Sequence, residues 1–378
     1  MNNGNKKIIV LMITVRADFG GGPEQIYKLL KELHEQIDFY VACPNEYPYW
    51  QRYSDLIDES KLIEIPHRKF KLFSLFNLIR FIRKNKIDLI HSHGKGAGVY
   101  GRLAAALSLV QCIHTFHGIH TGNYNSLEKY LYISFERFLA LFTKKIIAVS
   151  KSEYILIREY KISPPGKISI IENAVEMPSS IVTYSSSKLS RKKVISISRF
   201  DYAKNTGLLI GVMEELKKRN RINEFEFILL GSGPEEEKIK SLVKSKQLEN
   251  FVTFIGFTSN VGDYLIKSFC YISTSRWEGM PLSVLEAMSY GIPVIATDVN
   301  GNKDLIESGM TGYLYDINFP AQAAEYLIRL DEDMELWKNI SNAARLKVER
   351  YFTVAQMAEN TKYLYFEIHA QEGKGSLN

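Results

Sequence analysis

Short apolar runs alternate with longer helical segments along almost the whole chain, and that alternation constrains the fold more than any other feature. The runs 7–14, 38–43, 87–94, 112–116, 145–150 and 167–173 have strand length and are apolar through their middles. Between them lie segments with helical spacing, such as Ile26, Leu29, Leu30 and Leu33, the small-residue stretch 95–109 and the aromatic-rich 126–142. The pattern restarts at 194–198 and continues through 225–230, 251–257, 270–274 and 293–298. Strands alternating with helices give parallel sheets with right-handed crossovers. A chain of 378 residues with 46% hydrophobic content can fill two such cores. The expected architecture is α/β. It comprises a first domain over 1–177, a polar linker over 178–193, a second domain over 194–350, and an aromatic helix over 351–370 packing back across the domain junction. The tail from 371 is expected to be disordered.

Charge and cysteine usage narrow the setting. The net charge is +6, and its excess lies in the first half of the chain: 24 Lys+Arg face 17 Asp+Glu up to residue 180, against 24 and 25 beyond it. Such asymmetry points to an anionic surface as partner. The segment 67–86 carries seven Lys and Arg, Arg80, Arg83 and Lys84 among them, and no acidic residue. Its apolar residues, Phe70 to Ile82, interleave with these. It reads either as a basic amphipathic helix resting on anionic lipid or as an ordinary sheet-packing helix with solvated charges. No nucleic-acid motif accompanies it, so nucleic acid is not expected as a partner. Cys43, Cys112 and Cys270 are scattered and lack metal-ligand spacing, which suits buried thiols in a reducing compartment. No apolar run approaches the ~18 residues of a membrane span, and no signal peptide is visible. The expectation is a cytoplasmic protein, peripheral at the inner face of the plasma membrane.

Four loops at strand ends carry unusual residues. Gly20, Gly21 and Gly22 follow the first strand and precede a helix, a phosphate-tolerant arrangement without the GxGxxG of a dinucleotide site. They could let a ligand approach the backbone, or simply form a flexible turn. His91 and His93, then His114 and His117, sit at the ends of two further strands. No Cys, Asp or Glu completes a ligand set with them, so lining a cleft suits them better than holding zinc. Arg199 and Lys204 flank one loop, able to reach a single diphosphate as a planar fork and a point charge, or to form a surface ion-pair loop. In the last loop Glu278 precedes Gly279, Met280, Pro281 and Leu282, and a helix follows in which Glu286 is the acidic residue. Pro281 suits the first helical position and Gly291 the position after the last turn. The two carboxylates lie roughly 10 Å apart along such a helix. They could grip an extended polar ligand or be solvated groups on a capped surface helix.

Taken together these residues resemble the family 4 retaining glycosyltransferases of the GT-B fold, in which two Rossmann-like doubly wound domains face a central cleft. Glu278 to Glu286, in the form Glu-Gly-Met-Pro-Leu-Ser-Val-Leu-Glu, matches that family's motif of two glutamates with seven residues between. Arg199 and Lys204 match its donor-diphosphate pair, His117 in Thr-Phe-His-Gly its active-site histidine, and Gly20–Gly22 with Glu24 its first glycine loop. The run from His91 to Ala105 looks more particularly like bacterial capsule and O-antigen transferases. Asn205 stands where glycine is common, and Ala174 follows Asn173 where glycine often does.

The resemblance implies a sugar transferred from a nucleoside diphosphate, with uridine as the default base, to a lipid-linked sugar on a polyprenyl diphosphate. Arg199 and Lys204 would stabilise the leaving diphosphate without a metal or other cofactor. Glu278 and the backbone of Gly279 to Leu282 would hold the sugar, Glu286 the ribose, and His117 the sugar from the other domain. Gly21 and Gly22 would join the donor site and His93 the acceptor side. Asp331-Glu332-Asp333 reads as a solvated turn rather than a metal site. Two rival readings remain: a sugar-nucleotide epimerase on the same fold, and a nucleotide-sugar-binding scaffold without turnover.

Overall fold

The computed structural model describes residues 7–119, 121–182 and 191–375. The chain forms two compact units, one of residues 1–174 and 354–378, the other of 175–353. The first unit runs β1 (Ile9–Ile13), α1 (Gly21–Leu33), β2 (Asp38–Cys43), α2 (Tyr49–Ser54), β3 (Leu62–Glu64), α3 (Leu72–Lys84) and β4 (Leu89–His93). It continues with α4 (Lys95–Ser108), β5 (Gln111–Thr115), α5 (Ser126–Ala140), β6 (Lys145–Ala148), α6 (Lys151–Glu159) and β7 (Ile168–Ile170). Its seven strands are all parallel, in the order β3-β2-β1-β4-β5-β6-β7. Order reverses beside β1, so crossovers toward β3 and toward β7 place helices on opposite faces. α1 and α2 cover one face; α3, α4 and α5 cover the other. Each face has its own apolar cluster, Ile26, Leu29 and Tyr53 on the first, Leu78, Ile82 and Tyr100 on the second.

The second unit runs β8 (Lys192–Ile197), α7 (Leu208–Lys218), β9 (Phe225–Leu230), α8 (Glu236–Ser245), β10 (Val252–Gly256), α9 (Val261–Leu265) and β11 (Cys270–Ser273). Then come α10 (Leu282–Ser289), β12 (Val294–Thr297), α11 (Asn302–Leu305), β13 (Tyr313–Tyr315), α12 (Pro320–Glu332) and α13 (Met334–Tyr351). Its six parallel strands are ordered β10-β9-β8-β11-β12-β13, with the reversal beside β8. Both units are thus doubly wound.

The last helix, α14 (Val354–Gly375), belongs to the first unit and packs on α1. It buries Met357, Leu364, Tyr365 and Ile368 there, where each fully buried apolar side chain contributes about 1.5–3 kcal/mol. The helix runs on to Gly375, so the disorder expected from 371 is replaced by helix over 371–375, while 376–378 lie outside the described residues. Of the expected linker 178–193, residues 183–190 also lie outside them. The described part is tied to the second unit: Val182 N–H donates to Tyr290 O at 2.9 Å and Arg345 donates to Pro178 O at 3.2 Å. Asp331-Glu332-Asp333 lies where α12 gives way to α13, with Glu332 and Asp333 exposed and Asp331 covered. Asp331 pairs with Lys192 and Arg221, Glu332 pairs with Arg221, and Asp333 caps α13 by accepting from Leu336 N–H at 2.9 Å. The end of α12 is thus anchored to β8 through Lys192.

Candidate functional site

In doubly wound sheets a crevice opens beyond the carboxyl ends of the strands where strand order reverses. In the second unit the loops at that point follow β8 and β11. They are the loops of Arg199–Asn205 and Ser275–Pro281, so sheet topology itself brings together two stretches far apart in sequence. The first loop is held from behind by the β9–α8 loop. Phe200 N–H donates to Ser232 O at 2.9 Å and Glu235 N–H to Phe200 O at 3.0 Å. Gly231 (φ +123°) passes so close that a Cβ there would sit 1.9 Å from Ser198 O. Within the loop, Asp201 accepts from the Arg199 guanidinium (Nε at 2.5 Å) through one oxygen and from Lys204 N–H at 3.1 Å through the other. One carboxylate thus orients both basic residues. Asn205 has φ +51°, a left-handed conformation that glycine and asparagine adopt most readily. The asparagine therefore fits where glycine is common in the resembled family.

The Lys204 ammonium reaches across to Glu278 Oε1 at 2.6 Å, and Ser275 Oγ donates to the same oxygen at 2.6 Å. Glu278 is largely buried, with its side chain 10% exposed. Thr274 Oγ1 donates to Lys204 O at 2.9 Å and Arg276 N–H to Ala203 O at 2.8 Å, stitching the two loops together. Beneath Glu278, Thr297 Oγ1 donates to Ser275 O at 2.6 Å, and Asn302 Nδ2 to Thr297 O at 2.9 Å. Gly301 (φ +84°) lies against Glu278, where a Cβ would stand 2.7 Å from Glu278 Cβ. Gly279, Met280 and Pro281 are buried and Leu282 is half-buried. Pro281 is the N-cap of α10 rather than its first residue, with ψ 115° taking it out of the helix. The first helical bond, Leu285 N–H to Pro281 O at 3.2 Å, leaves the amides of 282–284 pointing past the helix start. Gly291 (φ +74°) closes α10 with a Schellman pair, Ile292 N–H to Ala287 O and Gly291 N–H to Met288 O, both 3.0 Å. Glu286 is half-buried on this helix. The Tyr271 phenol beneath donates to Ser283 Oγ at 2.9 Å. Burial, then the charges of Glu278 and Glu286, hold its pKa above the ordinary tyrosine value.

The same rule selects the loops after β1 and β4 in the first unit. Gly22 sits close to both histidine loops: a Cβ on it would lie 3.6 Å from His117 Cδ2 and 3.8 Å from His93 Cβ. His93 Nδ1 and His117 Nε2 share a hydrogen bond at 3.1 Å, with the rings stacked. His91 continues the row, its nitrogens bonded to Tyr365 Oη at 2.5 Å and Thr115 Oγ1 at 2.8 Å. Burial pushes His117 down to about 4 and His91 to about 3, and lowers His93 well below the usual value. All three are neutral at physiological pH. His117 has φ +60°. Glu153 braces that turn by accepting from Gly118 N–H at 2.5 Å and Val149 N–H at 2.8 Å.

Two sequence expectations change here. His93 does not reach an acceptor or membrane surface: it is 3% exposed, beneath His117. His114 does not line a cleft at all. It points to the opposite face of its strand, bonds Ser92 Oγ at 2.9 Å, and lies against α4, where a Cβ on Gly98 would meet its ring at 2.5 Å. The glycines of 96–101 thus serve close helix–sheet packing. Among the described residues no three His, Cys, Asp or Glu converge as a metal-ligand group. Asp201, Ser275, Gly301, Glu153 and Tyr365 escaped the sequence reading. Only Glu153 left a signal, the Ser150-x-x-Glu153 spacing of a capping box. Arg80 and Lys84 are exposed on α3, and Arg83 is exposed while donating to Leu107 O at 2.9 Å.

The topology and paired loops define a two-unit α/β protein with a charged crevice in one unit and a neutral histidine row in the other. Two family models match it, "Glycosyltransferase Family 4" over residues 19–177 and "Glycosyl transferases group 1" over residues 184–347. The chain belongs to the family 4 glycosyltransferases. It is 27% identical over 356 residues (89% of this chain, 90% of the other) to the UDP-Gal:alpha-D-GlcNAc-diphosphoundecaprenol alpha-1,3-galactosyltransferase of Escherichia coli. It is 27% identical over 298 residues (78% and 82%) to the Escherichia coli O-antigen biosynthesis glycosyltransferase WbnH. The crystal structure of Anabaena Alr3699/HepE in complex with UDP-glucose superposes with a TM-score of 0.83 at 18% identity, covering 95% of this chain and all of that one. The fold is therefore GT-B, and the chain is a glycosyltransferase.

Proposed function

We propose that this glycosyltransferase moves a sugar, with retention of configuration and without a metal, from a UDP-sugar to a hydroxyl of a sugar carried on a polyprenyl diphosphate, in surface polysaccharide synthesis. The observation that carries the reading is the Arg199–Asp201–Lys204–Glu278 cluster at the strand-order reversal of the second unit. As the sugar leaves, negative charge grows on the diphosphate. Two cations fixed in place before reaction stabilise that charge without reorganising, the role a divalent ion otherwise has. Lys204 trades part of its interaction with Glu278 for the phosphate, which frees a carboxylate oxygen to accept from a sugar hydroxyl. Glu286 takes the ribose hydroxyls at the other end of α10, and the free amides at its start favour an anion. His117, neutral and with no partner on Nδ1 among the described residues, offers a hydrogen bond to a sugar hydroxyl rather than a charge. Glu278, held at Oε1 by Lys204 and Ser275, is assigned to a sugar hydroxyl and not to covalent attack. In this proposal the acceptor attacks from the leaving-group face, which gives retention. The UDP-Gal donor and diphosphoundecaprenol-linked acceptor of the Escherichia coli relative, and the UDP-glucose bound to HepE, support these substrate classes.

The acceptor's lipid places the enzyme at a membrane, and α3 supports this. Its outward side exposes Phe73 and Phe76 beside Arg80, Arg83 and Lys84, the composition of a helix lying on an anionic bilayer surface. No helix among the described residues is long and apolar enough to cross a membrane. Incubation with UDP-sugar alone and then with a polyprenyl diphosphate-linked sugar tests the reading. A glycolipid product formed only with acceptor is expected. A new UDP-sugar epimer from donor alone would make the protein an epimerase, and binding without any product would make it a scaffold.

A further inference from the structure

We propose that α5 is a second lipid-contacting element, whose outward face enters the interfacial zone of an anionic bilayer alongside α3; this rests on the membrane reading of α3. A surface helix normally has one apolar stripe facing the core. α5 has two. Its inward side buries Tyr132, Ile133, Leu139 and Ala140. Its outward side shows Leu127, Tyr130, Leu131, Phe135, Phe138 and Leu141, the last at its C-cap, all exposed between 42% and 71%. These recur every three or four residues and so form one continuous strip. An apolar strip of this extent on a soluble surface marks an interaction site.

Three observations select an anionic bilayer as the occupant. The crossovers from β3, β4 and β5 all run the same way across the sheet, which puts α3, α4 and α5 on one face. α4, which packs against both neighbours, ends in Leu107 and Leu109. Leu109 is 90% exposed and left-handed (φ 61°), an arrangement unfavourable for leucine in water on both counts. The strip on α5 therefore lies on the same face as the end of α4, which meets the basic C-terminal end of α3, where Arg83 donates to Leu107 O at 2.9 Å. The charge around it is positive. Arg80, Arg83, Lys84 and Lys86 are exposed at the end of α3, and Arg137 is exposed on α5. The carboxylates of α5 are both engaged: Glu128 accepts from Asn125 N–H at 2.9 Å in the helix cap, and Glu136 is buried 2.8 Å from Arg102. A second copy docking here would oppose like charges, whereas anionic headgroups complement them.

The test uses phosphatidylglycerol–phosphatidylcholine vesicles and phosphatidylcholine vesicles. Leu131→Cys carrying an environment-sensitive fluorophore reports insertion, the native cysteines being buried. A blue shift with the anionic vesicles is expected, and no shift would overturn the proposal. Leu131→Glu with Phe138→Glu should weaken vesicle binding about ten- to a hundredfold. Its thermal unfolding and its transfer to a water-soluble acceptor should match the parent, which separates this proposal from the transferase reading. Parent-like vesicle binding by this variant, with binding lost in Arg80→Glu/Arg83→Glu/Lys84→Glu, would leave α3 as the docking helix and overturn the role of α5. No vesicle binding by the parent protein would remove both. A lipid-free dimer that the α5 variant splits would give the face to a second copy and overturn the proposal.

Discussion

The two units share a winding plan but furnish their strand-order reversals with opposite chemistry. In the second unit the loops carry full charges held in pairs, Lys204 on Glu278 and Arg199 on Asp201, with Arg199 half exposed. In the first unit the matching loops carry glycine and a row of histidines whose charge burial removes. Fixed charges suit a ligand whose charge changes during reaction; neutral donors and acceptors suit one whose hydroxyls must be oriented. Under the proposed function the diphosphate falls to the second unit, and hydroxyl recognition is shared between its glutamates and the neutral histidines of the first. It also separates two kinds of fragility, since one site is sensitive to single charges and the other to protonation.

The largest effect falls on the charged side. Lys204→Ala should lower turnover about 10²–10³-fold, the magnitude for loss of one preorganised stabilising group, while leaving the melting temperature near that of the parent. Initial rates beside a thermal melt check this; near-normal turnover would end the diphosphate role. Next, Gly301→Ala places a methyl within 2.7 Å of Glu278 Cβ in a left-handed backbone. It should cost about tenfold in rate by displacing Glu278, read from kcat and KM together.

The neutral side predicts a pH effect on stability instead. The histidine pKa values are depressed from 6.5 in the folded chain, to about 4 at His117 and about 3 at His91. Above 6.5 neither state binds the protons. As pH falls below it the unfolded chain binds them first, so stability drops by about 1 kcal/mol per such histidine for each pH unit, until the folded values are reached. Urea unfolding at pH 7.5, 6.5 and 5.5 should show this, and His91→Asn should flatten the slope. The smallest expected effect is none: turnover in EDTA should equal that without it, whereas a strict metal requirement would assign part of the charge stabilisation to an ion.

What the sequence disclosed follows the same division. Alternation revealed two α/β layers because strand and helix periods are local. Arg199, Lys204, Glu278 and Glu286 stood out because charge next to glycine and proline in strand-end loops is uncommon. Strand order was hidden, since β1 pairs with β4 across 79 residues of chain by packing rather than pattern. Hidden with it were the long-range contacts that the fold supplies: Lys204 on Glu278, Gly301 against Glu278, and Tyr365 of α14 behind His91. His93 and His114 looked equivalent to His117 in the chain. A strand turns successive side chains to opposite faces, and only the fold shows which of these histidines is covered.

One experiment reads both the transfer and its stereochemistry. The protein is given an α-configured UDP-sugar with a polyprenyl diphosphate-linked sugar, and the linkage in the product is read by NMR. An α-linked product is expected, and Lys204→Ala should not form it at a comparable rate. A β-linked product, or UDP release without any glycolipid, would contradict the proposed function.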